Sequence, residues 1–315
     1  MTYQVVVVGS ACVDLAVAVP KLPDSDETVF ASPLTILPGG KGLNQAAAVA
    51  RRGGRAALLA KVGDDEWGRL LVRWLDRKGV DTSAVLSVPG VPTAAAIVAV
   101  EPEGQSAIIL PESAGTALTV EDVTRNERLL KEGSVCVVQL EFPPEIVDHA
   151  VRTAADAGRR VIGTLAPLRP LPPDVWTLLD VVVVNAGEAA AITSLSPADV
   201  LHDPTEAVRR LLALGPRSAA VTLGSRGAAF STDDGGVARM PAPPVRAVDT
   251  TGAGDAFLGA LALSLAEGSA LTRAVAAGIE AAATAVQTRR WHRSEPLSGL
   301  PLTGWQTNSD GPPPT

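Results

Sequence analysis

Short runs of apolar residues alternate along the chain with segments in which apolar residues recur every three or four positions. Val5–Val8 is the first apolar run, and it ends at Gly9-Ser10. A continuous β-branched run of this kind predicts a strand that is buried on both faces of a parallel sheet. The same pattern predicts five more strands, at Ala56–Ala60, Val135–Leu140, Val161–Thr164, Val181–Val184 and Ala219–Leu223.

The segments between these runs have the spacing of helices. They predict helices at Leu43–Arg52, Glu66–Lys78, Pro144–Ala157, Thr205–Leu214, Ala253–Glu267 and Leu271–Gln287. Strands that alternate with helices favour an α/β fold, in which helices cover both faces of a mostly parallel sheet. The loops that follow the strands then meet at one edge of the sheet, where ligands bind in this class of fold.

Two regions depart from this alternation. Residues 13–19, 28–36, 93–100 and 106–110 read as short strands joined by Pro, Gly and Asp turns, among them Glu101-Pro102-Glu103-Gly104. We predict that these four strands form a small separate sheet, such as a lid over the ligand edge of the main sheet. Ordinary hairpins at the edge of the main sheet are the alternative.

The composition is that of a folded globular protein. Of the 315 residues, 46% are hydrophobic and 19% are charged, which is enough apolar material for a sizeable core. Residues 1–295 are predicted to form one main α/β domain with the small sheet inserted in pieces. Residues 296–315 are rich in Pro and Gly, and we predict that this tail is disordered.

The charge balance and the rare residue types exclude several classes of function. A net charge of −7 provides no basic surface for nucleic acid or for an anionic membrane. The two Cys and three His form no zinc-binding pattern. No basic segment typical of a secretory signal opens the chain, and no apolar run approaches the ~20 residues of a membrane span. We therefore expect a cytoplasmic protein with small-molecule partners.

The segment 248–257 carries the most information about chemistry. Gly252, Ala253 and Gly254 stand at the start of a long predicted helix, and Asp255 lies in its first turn. Small residues let several backbone N–H groups converge on an anion, and the helix dipole adds positive potential there. This pattern suits a phosphoryl group in transfer, with Asp255 taking a proton from the attacking hydroxyl. The alternative is that Asp255 caps the helix and the glycines serve the turn.

A second Gly-rich turn precedes the first predicted helix. Gly39-Gly40-Lys41-Gly42-Leu43-Asn44 has neither the Walker A spacing nor the dinucleotide fingerprint. Its glycines allow a ligand to approach the backbone, and Lys41 and Asn44 offer donors to hydroxyl groups. The alternative is a helix start with a purely structural role.

Asp14 follows soon after the first strand. There a carboxylate can accept hydrogen bonds from two adjacent sugar hydroxyls, or it can serve a turn.

Polar residues end other predicted strands at the same edge. Glu141 and Asn185 each follow an apolar strand directly, and Glu188 comes three residues after Asn185. An Asn-x-x-Glu pair at this position can orient water on Mg²⁺ near phosphates. A helix capping box is the alternative. Thr222–Gly227 ends a further strand with two glycines and can line a nucleotide.

Taken together, these motifs resemble those of the ribokinase-like (phosphofructokinase-B) family of sugar and nucleoside kinases. The specific ones are Gly-Gly-Lys-Gly-Leu-Asn at 39–44 and Asp-Thr-Thr-Gly-Ala-Gly-Asp-Ala-Phe at 249–257, and the likeness extends from Val5 to about Pro296. The resemblance implies a three-layer αβα sandwich with a small β-sheet lid that often dimerises, and hence a homodimer. It also implies transfer of the γ-phosphoryl group of ATP to a primary sugar hydroxyl, with Mg²⁺ and commonly K⁺.

The resemblance assigns roles by position. It implies that Asp255 is the general base and that Gly252, Ala253 and Gly254 form the anion hole. The residues implied to hold the sugar are Cys12, Asp14, Gly40, Lys41, Asn44 and Glu141. The residues implied to line ATP are Asn185, Thr222, Gly224, Ser225 and Gly227, with Glu188 acting on Mg²⁺ through water. The loop implied to hold the monovalent cation comprises Asp249, Thr251, Ala285, Thr288, Arg290 and Ser294.

Two departures from the family pattern bear on the substrate and on the cation. Cys12 stands where ribose-specific members usually have Asn, and a thiol is a weak partner for a hydroxyl group. Arg290 stands where the family has Gly in the cation loop. We expect its fixed positive charge to weaken or replace the binding of K⁺.

Ribose is the substrate that we expect first, and other functions remain open. A nucleoside, fructose or another sugar would change only the acceptor, although 3% aromatic residues offer little wall for a nucleobase. A sugar-binding regulator without catalysis is a further alternative, disfavoured by the intact Asp255. An oxidoreductase is disfavoured because Gly9-Ser10-Ala11-Cys12 lacks the glycines of a dinucleotide site.

Overall fold

The fold is described from a computed structural model, which covers residues 3–101, 106–109, 111, 117–140, 142–164, 171–288 and 297. The strands are β1 (Tyr3–Val8), β2 (Cys12–Ala18), β3 (Thr35–Gly39), β4 (Ala56–Gly63), β5 (Val80–Asp81), β6 (Val85–Val88), β7 (Ala95–Val100), β8 (Ser106–Ile109), β9 (Gly133–Gln139), β10 (Arg160–Thr164), β11 (Val181–Asn185), β12 (Ala219–Thr222), β13 (Ala228–Ser231) and β14 (Val237–Met240). The helices are α1 (Lys41–Arg51), α2 (Glu66–Arg77), α3 (Val120–Arg125), α4 (Glu127–Glu132), α5 (Pro144–Asp156), α6 (Pro173–Trp176), α7 (Ala186–Thr193), α8 (Pro197–His202), α9 (Pro204–Ala213), α10 (Ala253–Ala266) and α11 (Leu271–Ala285).

A large, mostly parallel sheet runs through the molecule. Within the described residues it has ten strands in the order β14-β13-β12-β11-β10-β9-β1-β4-β5, with β6 also paired to β4. The pairs from β12 to β4, and those of β4 with β5 and β6, are parallel, whereas β13 and β14 extend the sheet in antiparallel fashion. The six strands and six helices predicted from periodicity are all present, with ends shifted by a few residues.

Two hydrophobic cores lie on the two faces of this sheet. Val5 and Val7 of β1 pack with residues of α1, α2, α10 and α11, whereas Val6 and Val8 pack with residues of α3, α4, α5 and α9. All four valines are 0% exposed, because successive side chains of a strand point to opposite faces and both faces are covered. The three-layer αβα arrangement is therefore confirmed.

The predicted small sheet is also confirmed, with one strand in a different place. Its four strands pair in the order β3-β2-β7-β8. The strand predicted at 28–36 is instead β3, at Thr35–Gly39. Ser32 exchanges hydrogen bonds with Ala18, but the next residue, Pro33, has no N–H with which to continue a ladder. The prediction from apolar residues alone therefore placed this strand too early in the chain.

The described part of the chain contains no helix that is both long enough and apolar enough to cross a membrane. α10 is the most apolar of the long helices, but it spans 14 residues. Its residues from Ala256 to Leu265 are buried, and several of them belong to the core beneath the large sheet. Its apolar character is therefore explained by packing within the protein.

Candidate active site

Asp255 lies in the first turn of α10 and is held by two side chains of α1. Nδ2 of Asn44 donates to one carboxylate oxygen at 3.1 Å, and Nε2 of Gln45 donates to the other at 3.0 Å. The N-cap residue of α10 is Gly252, and no side chain caps the helix. Asp255 is thus oriented by amides of a neighbouring helix, which disfavours the interpretation that it serves as a helix cap.

The glycines before Asp255 leave the start of α10 open. Gly252 has φ of 74°, in the left-handed region that favours glycine. A Cβ added to Gly254 would meet no atom within 4 Å, so core packing does not require a glycine at this position. The space beside Gly254 is available to a ligand at the positive end of the helix dipole, which suits an anion.

The Gly-rich turn before α1 packs closely on the loop after β1. The N–H of Leu43 donates to the carbonyl oxygen of Ser10 at 3.0 Å. A Cβ added to Gly42 would lie 2.6 Å from the carbonyl carbon of Gly9. This close approach joins the end of β1 to the helix whose Asn44 contacts Asp255. Gly40 and Lys41 start that helix at the same place.

Asp14 belongs to β2 of the small sheet, so its interpretation as a turn residue is wrong. It is 6% exposed, and Sγ of Cys12 donates to its Oδ1 at 3.4 Å. β3 pairs with β2, and a Cβ on Gly39 would lie 2.2 Å from the same carboxylate oxygen. A side chain at position 39 would displace this carboxylate, and the close approach ties Asp14 to the turn that leads into α1.

Two of the cavities beside the start of α10 are large enough for part of a substrate. The first has a volume of 220 Å³ and contains Asp255 in its wall together with Lys41, Asn185 and Glu188. The second has a volume of 470 Å³ and includes Ala253 and four of the residues predicted to line ATP. Those four are Thr222, Gly224, Ser225 and Gly227. Thr222, Gly254 and Phe257 line both cavities, so the larger cavity adjoins the one that contains Asp255.

The walls of the larger cavity include residues that sequence reasoning missed. They come from the segment that precedes α10, from α11 and from the residue that follows α11. They are Ala242, Pro243, Pro244, Val245, Ala247, Ile279, Ala282, Ala283 and Val286. Their apolar side chains suit the face of a planar group such as a nucleobase. No local motif marks them, since the first segment is neither strand nor helix and the second reads as an ordinary core helix.

Asn185 and Glu188 form a capping box at the start of α7, and they also face the smaller cavity. The N–H of Asn185 donates to Glu188 at 2.9 Å, and the N–H of Glu188 donates to Asn185 at 2.8 Å. Burial raises the pKa of Glu188, and nearby Asp255 adds to this, while the Asn185 N–H and Lys41 oppose it. The same geometry is therefore compatible with a helix capping box and with a carboxylate that acts near phosphates.

A carboxylate beside the smaller cavity is of the kind that Mg²⁺ uses together with phosphates. The described residues contain no group of three or more His, Cys, Asp or Glu that could hold a metal ion. Mg²⁺ commonly binds through one or two carboxylates together with substrate phosphates and water. Glu188, which lines the smaller cavity, can supply such a carboxylate.

Part of the predicted cation loop is brought together at the end of α11. The N–H groups of Val248 and Asp249 both donate to the carbonyl oxygen of Val286, at 2.7 and 3.2 Å. Oδ1 of Asp249 accepts the N–H of Thr251 at 2.9 Å. Thr251 and Ala285 line one small cavity with Asp255. Thr288 is exposed beyond the helix. Three further predicted site residues, Glu141, Arg290 and Ser294, lie outside the described residues.

Two buried glutamines were not among the predicted site residues. Gln45 follows Asn44 directly and contacts Asp255, and Gln139 is the last residue of β9. They are 3% and 1% exposed, and Nε2 of Gln139 donates to Oε1 of Gln45 at 3.2 Å. The one signal for them was a polar residue within an otherwise apolar pattern.

Comparison with known proteins agrees with this geometry. The family model described as pfkB family carbohydrate kinase matches residues 2–296. The chain is 33% identical to the ribokinase of Schizosaccharomyces pombe over 294 residues, which cover 91% of this chain and 92% of that protein. It is 35% identical to the deoxyribokinase of Salmonella typhi over 260 residues, which cover 82% of this chain and 84% of that protein.

A solved structure gives the same result for the fold. The structure of Arabidopsis thaliana ribokinase complexed with ribose and ATP is similar with a TM-score of 0.80 and 30% sequence identity, covering 92% of this chain and 94% of that one. The family resemblance inferred from the two Gly-rich motifs is therefore confirmed. This protein belongs to the pfkB family of carbohydrate kinases.

Proposed function

We propose that the protein transfers the γ-phosphoryl group of ATP to the primary hydroxyl of a pentofuranose, with ribose as the first choice. The observation that carries the proposal is the position of Asp255. Its carboxylate is held by Asn44 and Gln45 and borders a 220 Å³ cavity that shares lining residues with a larger, apolar-walled one. The larger cavity has space for the nucleotide, and the smaller one lies where its phosphates would meet Asp255. The ribokinase and deoxyribokinase relatives support a pentose.

The reaction proposed for this site is a direct displacement at phosphorus. Asp255 accepts the proton of the primary hydroxyl as its oxygen forms a bond to the γ-phosphorus, and the bond from that phosphorus to the oxygen bridging to the β-phosphate breaks to release ADP. The backbone N–H groups of Gly252–Gly254 stabilise the charge on the transferring group, at the positive end of α10.

Mg²⁺ belongs to the proposal as a cofactor held on the phosphate side of the site. Glu188 is the residue that would hold it, directly or through water, and Asn185 keeps this carboxylate in place through the capping box. The ion, when bound, supplies positive charge that offsets the charge of the phosphates. Lys41, which borders the same cavity, adds a protein cation.

Asp14 and Cys12 are proposed to select the sugar. The carboxylate of Asp14 is buried and can accept hydrogen bonds from two adjacent hydroxyls. A site with a strong partner for a hydroxyl rejects a sugar that lacks it by about 10⁴–10⁵-fold, but Cys12 is a weak partner. 2-Deoxyribose is therefore a second candidate substrate, and the deoxyribokinase relative supports it.

The requirement for a monovalent cation is proposed to be weak. Asp249, Thr251 and Ala285 lie near one another, which supports a cation loop, but the sequence places the fixed charge of Arg290 where the family has Gly. Turnover measured with K⁺, with Na⁺ and with neither tests this. We expect similar rates in all three; strict dependence on K⁺ would contradict the role given to Arg290.

We also propose that two copies of the chain pair through the small sheet. Its strand register aligns Ile36, Leu15, Ile97 and Ile109 across β3, β2, β7 and β8. Leu15 lies on the opposite face of β2 from Asp14, because adjacent residues of a strand alternate. Ile97 and Ile109 are 47% and 64% exposed. An exposed apolar row of this kind is typical of a contact surface.

The proposed reaction is tested by turnover of the whole chain with MgATP and a panel of acceptors. The panel comprises D-ribose, 2-deoxy-D-ribose, D-fructose and adenosine, with ADP formation and the phosphorylated product both measured. We expect a pentose to have the highest kcat/KM. Absence of turnover with every acceptor would favour a sugar-binding regulator instead.

The general base is tested by Asp255→Asn. This change retains the shape of the side chain but removes its ability to accept a proton. We expect kcat to fall by about 10²–10⁴-fold, the usual contribution of a general base, while the Kd for ATP changes little. An Asp255→Asn variant that keeps wild-type turnover would contradict the role of Asp255.

A further inference from the structure

A chain of buried amides runs from the end of β1 to the carboxylate of Asp255. The backbone N–H of Ser10 donates to Oε1 of Gln139 at 3.0 Å. Nε2 of Gln139 donates to Oε1 of Gln45 at 3.2 Å, and Nε2 of Gln45 donates to Oδ1 of Asp255 at 3.0 Å. With Gln139 and Gln45 only 1% and 3% exposed, the chain is shielded from solvent.

The direction of every hydrogen bond in this chain follows from its first donor. A backbone N–H can only donate, so Ser10 holds the oxygen of the Gln139 amide toward itself and leaves the NH₂ group for Gln45. The Gln45 amide must then present its oxygen to Gln139 and its NH₂ group to Asp255. If the Gln45 amide were turned over, its oxygen would face a carboxylate oxygen, and two acceptors would repel each other.

Close packing keeps the Gln139 amide in place. A Cβ added to Gly9 would lie 2.6 Å from Cδ of Gln139, so the amide lies flat against the backbone of Gly9. Gln139 is also at the end of β9, where it pairs with Thr164 of β10 in the middle of the large sheet. Its side chain is therefore fixed by rigid elements, which is what a group that orients another one requires.

We propose that Gln139 is a positioning residue for phosphoryl transfer, and that it acts through Gln45 to orient the carboxylate of Asp255. The inference rests on the proposed function, in which Asp255 is the base. Loss of the Gln139 amide would leave Oε1 of Gln45 without this donor in a buried site, and the Gln45 amide would lose its fixed direction. A misplaced base slows the chemical step without affecting nucleotide binding.

The test is a double-mutant cycle on the full-length protein with MgATP and D-ribose or 2-deoxy-D-ribose. Gln139→Met and Gln45→Met retain an unbranched side chain of similar length and remove the amide. We expect each to lower kcat by about 10- to 100-fold, the scale of a small misplacement of a reacting group, with the KM for ATP within about twofold. Because Gln139 acts through Gln45, the double variant is expected to have the kcat of Gln45→Met alone.

Val137→Ala is the matched control for stability. Val137 is on the same strand and is 1% exposed, so its truncation destabilises the sheet without touching the amide chain. We expect Val137→Ala to lower the melting temperature and to keep the wild-type kcat. If Gln139→Met does not fold, Gln139→Ala replaces it in the cycle.

The outcomes separate this inference from the proposed function. If the wild type has no kinase activity, or if Asp255→Asn keeps it, the proposed function fails and the inference fails with it. If the wild type is active and Asp255→Asn is inactive, two results overturn the role of Gln139 alone. One is a Gln139 variant with wild-type kcat, and the other is a double variant whose loss equals the product of the single losses, as for independent structural effects.

Discussion

At the scale of single residues, the start of α10 combines the hydrogen-bonded carboxylate of Asp255 with an exposed backbone at Gly254. Both oxygens of Asp255 accept hydrogen bonds from α1, whereas the position of a Cβ on Gly254 is open. The first feature fixes where a proton can be accepted. The second leaves the N–H groups of the helix start accessible to an anion. The two residues are neighbours in sequence, but position 255 needs a carboxylate to accept a proton, whereas position 254 needs no side chain because an anion would occupy that space.

Gly254→Ala tests the second feature. The added methyl group meets no protein atom, so we expect the free energy of unfolding to stay within about 0.5 kcal/mol of the wild type. The methyl group would project into the proposed phosphate space, and we expect kcat/KM for MgATP to fall on the order of 10- to 100-fold.

The control is Gly53→Ala in the exposed turn after α1, where an added Cβ also meets no atom within 4 Å. Because Gly53 has φ of 80°, alanine there should lower the free energy of unfolding and leave kcat/KM near wild type. Thermal unfolding and steady-state kinetics measure the two effects separately. A Gly254→Ala variant with full activity would show that this position does not contact the transferring group.

At the scale of elements, one side chain joins α2 to the small sheet. Asp65 is the N-cap of α2 and accepts the N–H of Gly68 at 2.8 Å. Its carboxylate also accepts the backbone N–H of Thr93 at 2.7 Å and the Thr93 hydroxyl at 2.6 Å. The same hydroxyl accepts the N–H of Gly63 at the end of β4. The segment that leads into β7 is thus attached to both α2 and β4.

We predict that Asp65→Ala destabilises the protein by about 1–3 kcal/mol, because it leaves donors of the buried Thr93 without this acceptor. Burial on its own raises the pKa of Asp65, but hydrogen bonds from Thr93 and Gly68 outweigh it and leave that pKa below its ordinary value of 3.8. A lowered pKa in the folded state means that the ionised group stabilises the fold above pH 3.8, and that this contribution is lost as the pH falls through the lower folded value.

Unfolding of the wild type and of Asp65→Ala at pH 7 and near pH 3 checks both parts of this prediction. The difference in stability should be full at pH 7 and smaller near pH 3. Asp64→Ala is the control, since the adjacent Asp64 side chain is 58% exposed and its surface ion pair contributes little. An equal loss in the two variants would contradict the linking role of Asp65.

At the scale of the whole molecule, the small sheet presents one face with Asp14 and another with the row of Ile97 and Ile109. If two copies pair on the second face, Ile97→Lys and Ile109→Lys place charges in an apolar contact. We expect these changes to convert a dimer to a monomer in light scattering. Leu214→Lys, at a 37% exposed leucine just after α9, is the control and should not change the mass. A wild type that is monomeric at micromolar concentration would contradict pairing through this face.

Periodicity in the sequence determined six of the ten described strands of the large sheet and six of the eleven described helices, the longer ones. Runs such as Val5–Val8 have no polar face, so they fit only a strand covered on both sides, and that constraint is local. The Gly-rich turn and the Asp255 segment likewise identified the family, because their chemistry depends on neighbours in sequence. The small sheet was predicted as a unit, but β3 was misplaced, since Pro33 and a contact to Ala18 decide where its pairing begins.

Only the tertiary structure decided how the groups of the site meet. Asn44 and Gln45 contact Asp255 across more than two hundred residues of sequence, and Gln139 of β9 donates to Gln45 from inside the large sheet. A hydrogen bond between distant residues leaves no periodic trace, and a buried glutamine at the end of a strand looks like a break in an apolar run. The sequence determined which chemical groups the protein has, and the packing of β1, β9, α1 and α10 decided their directions.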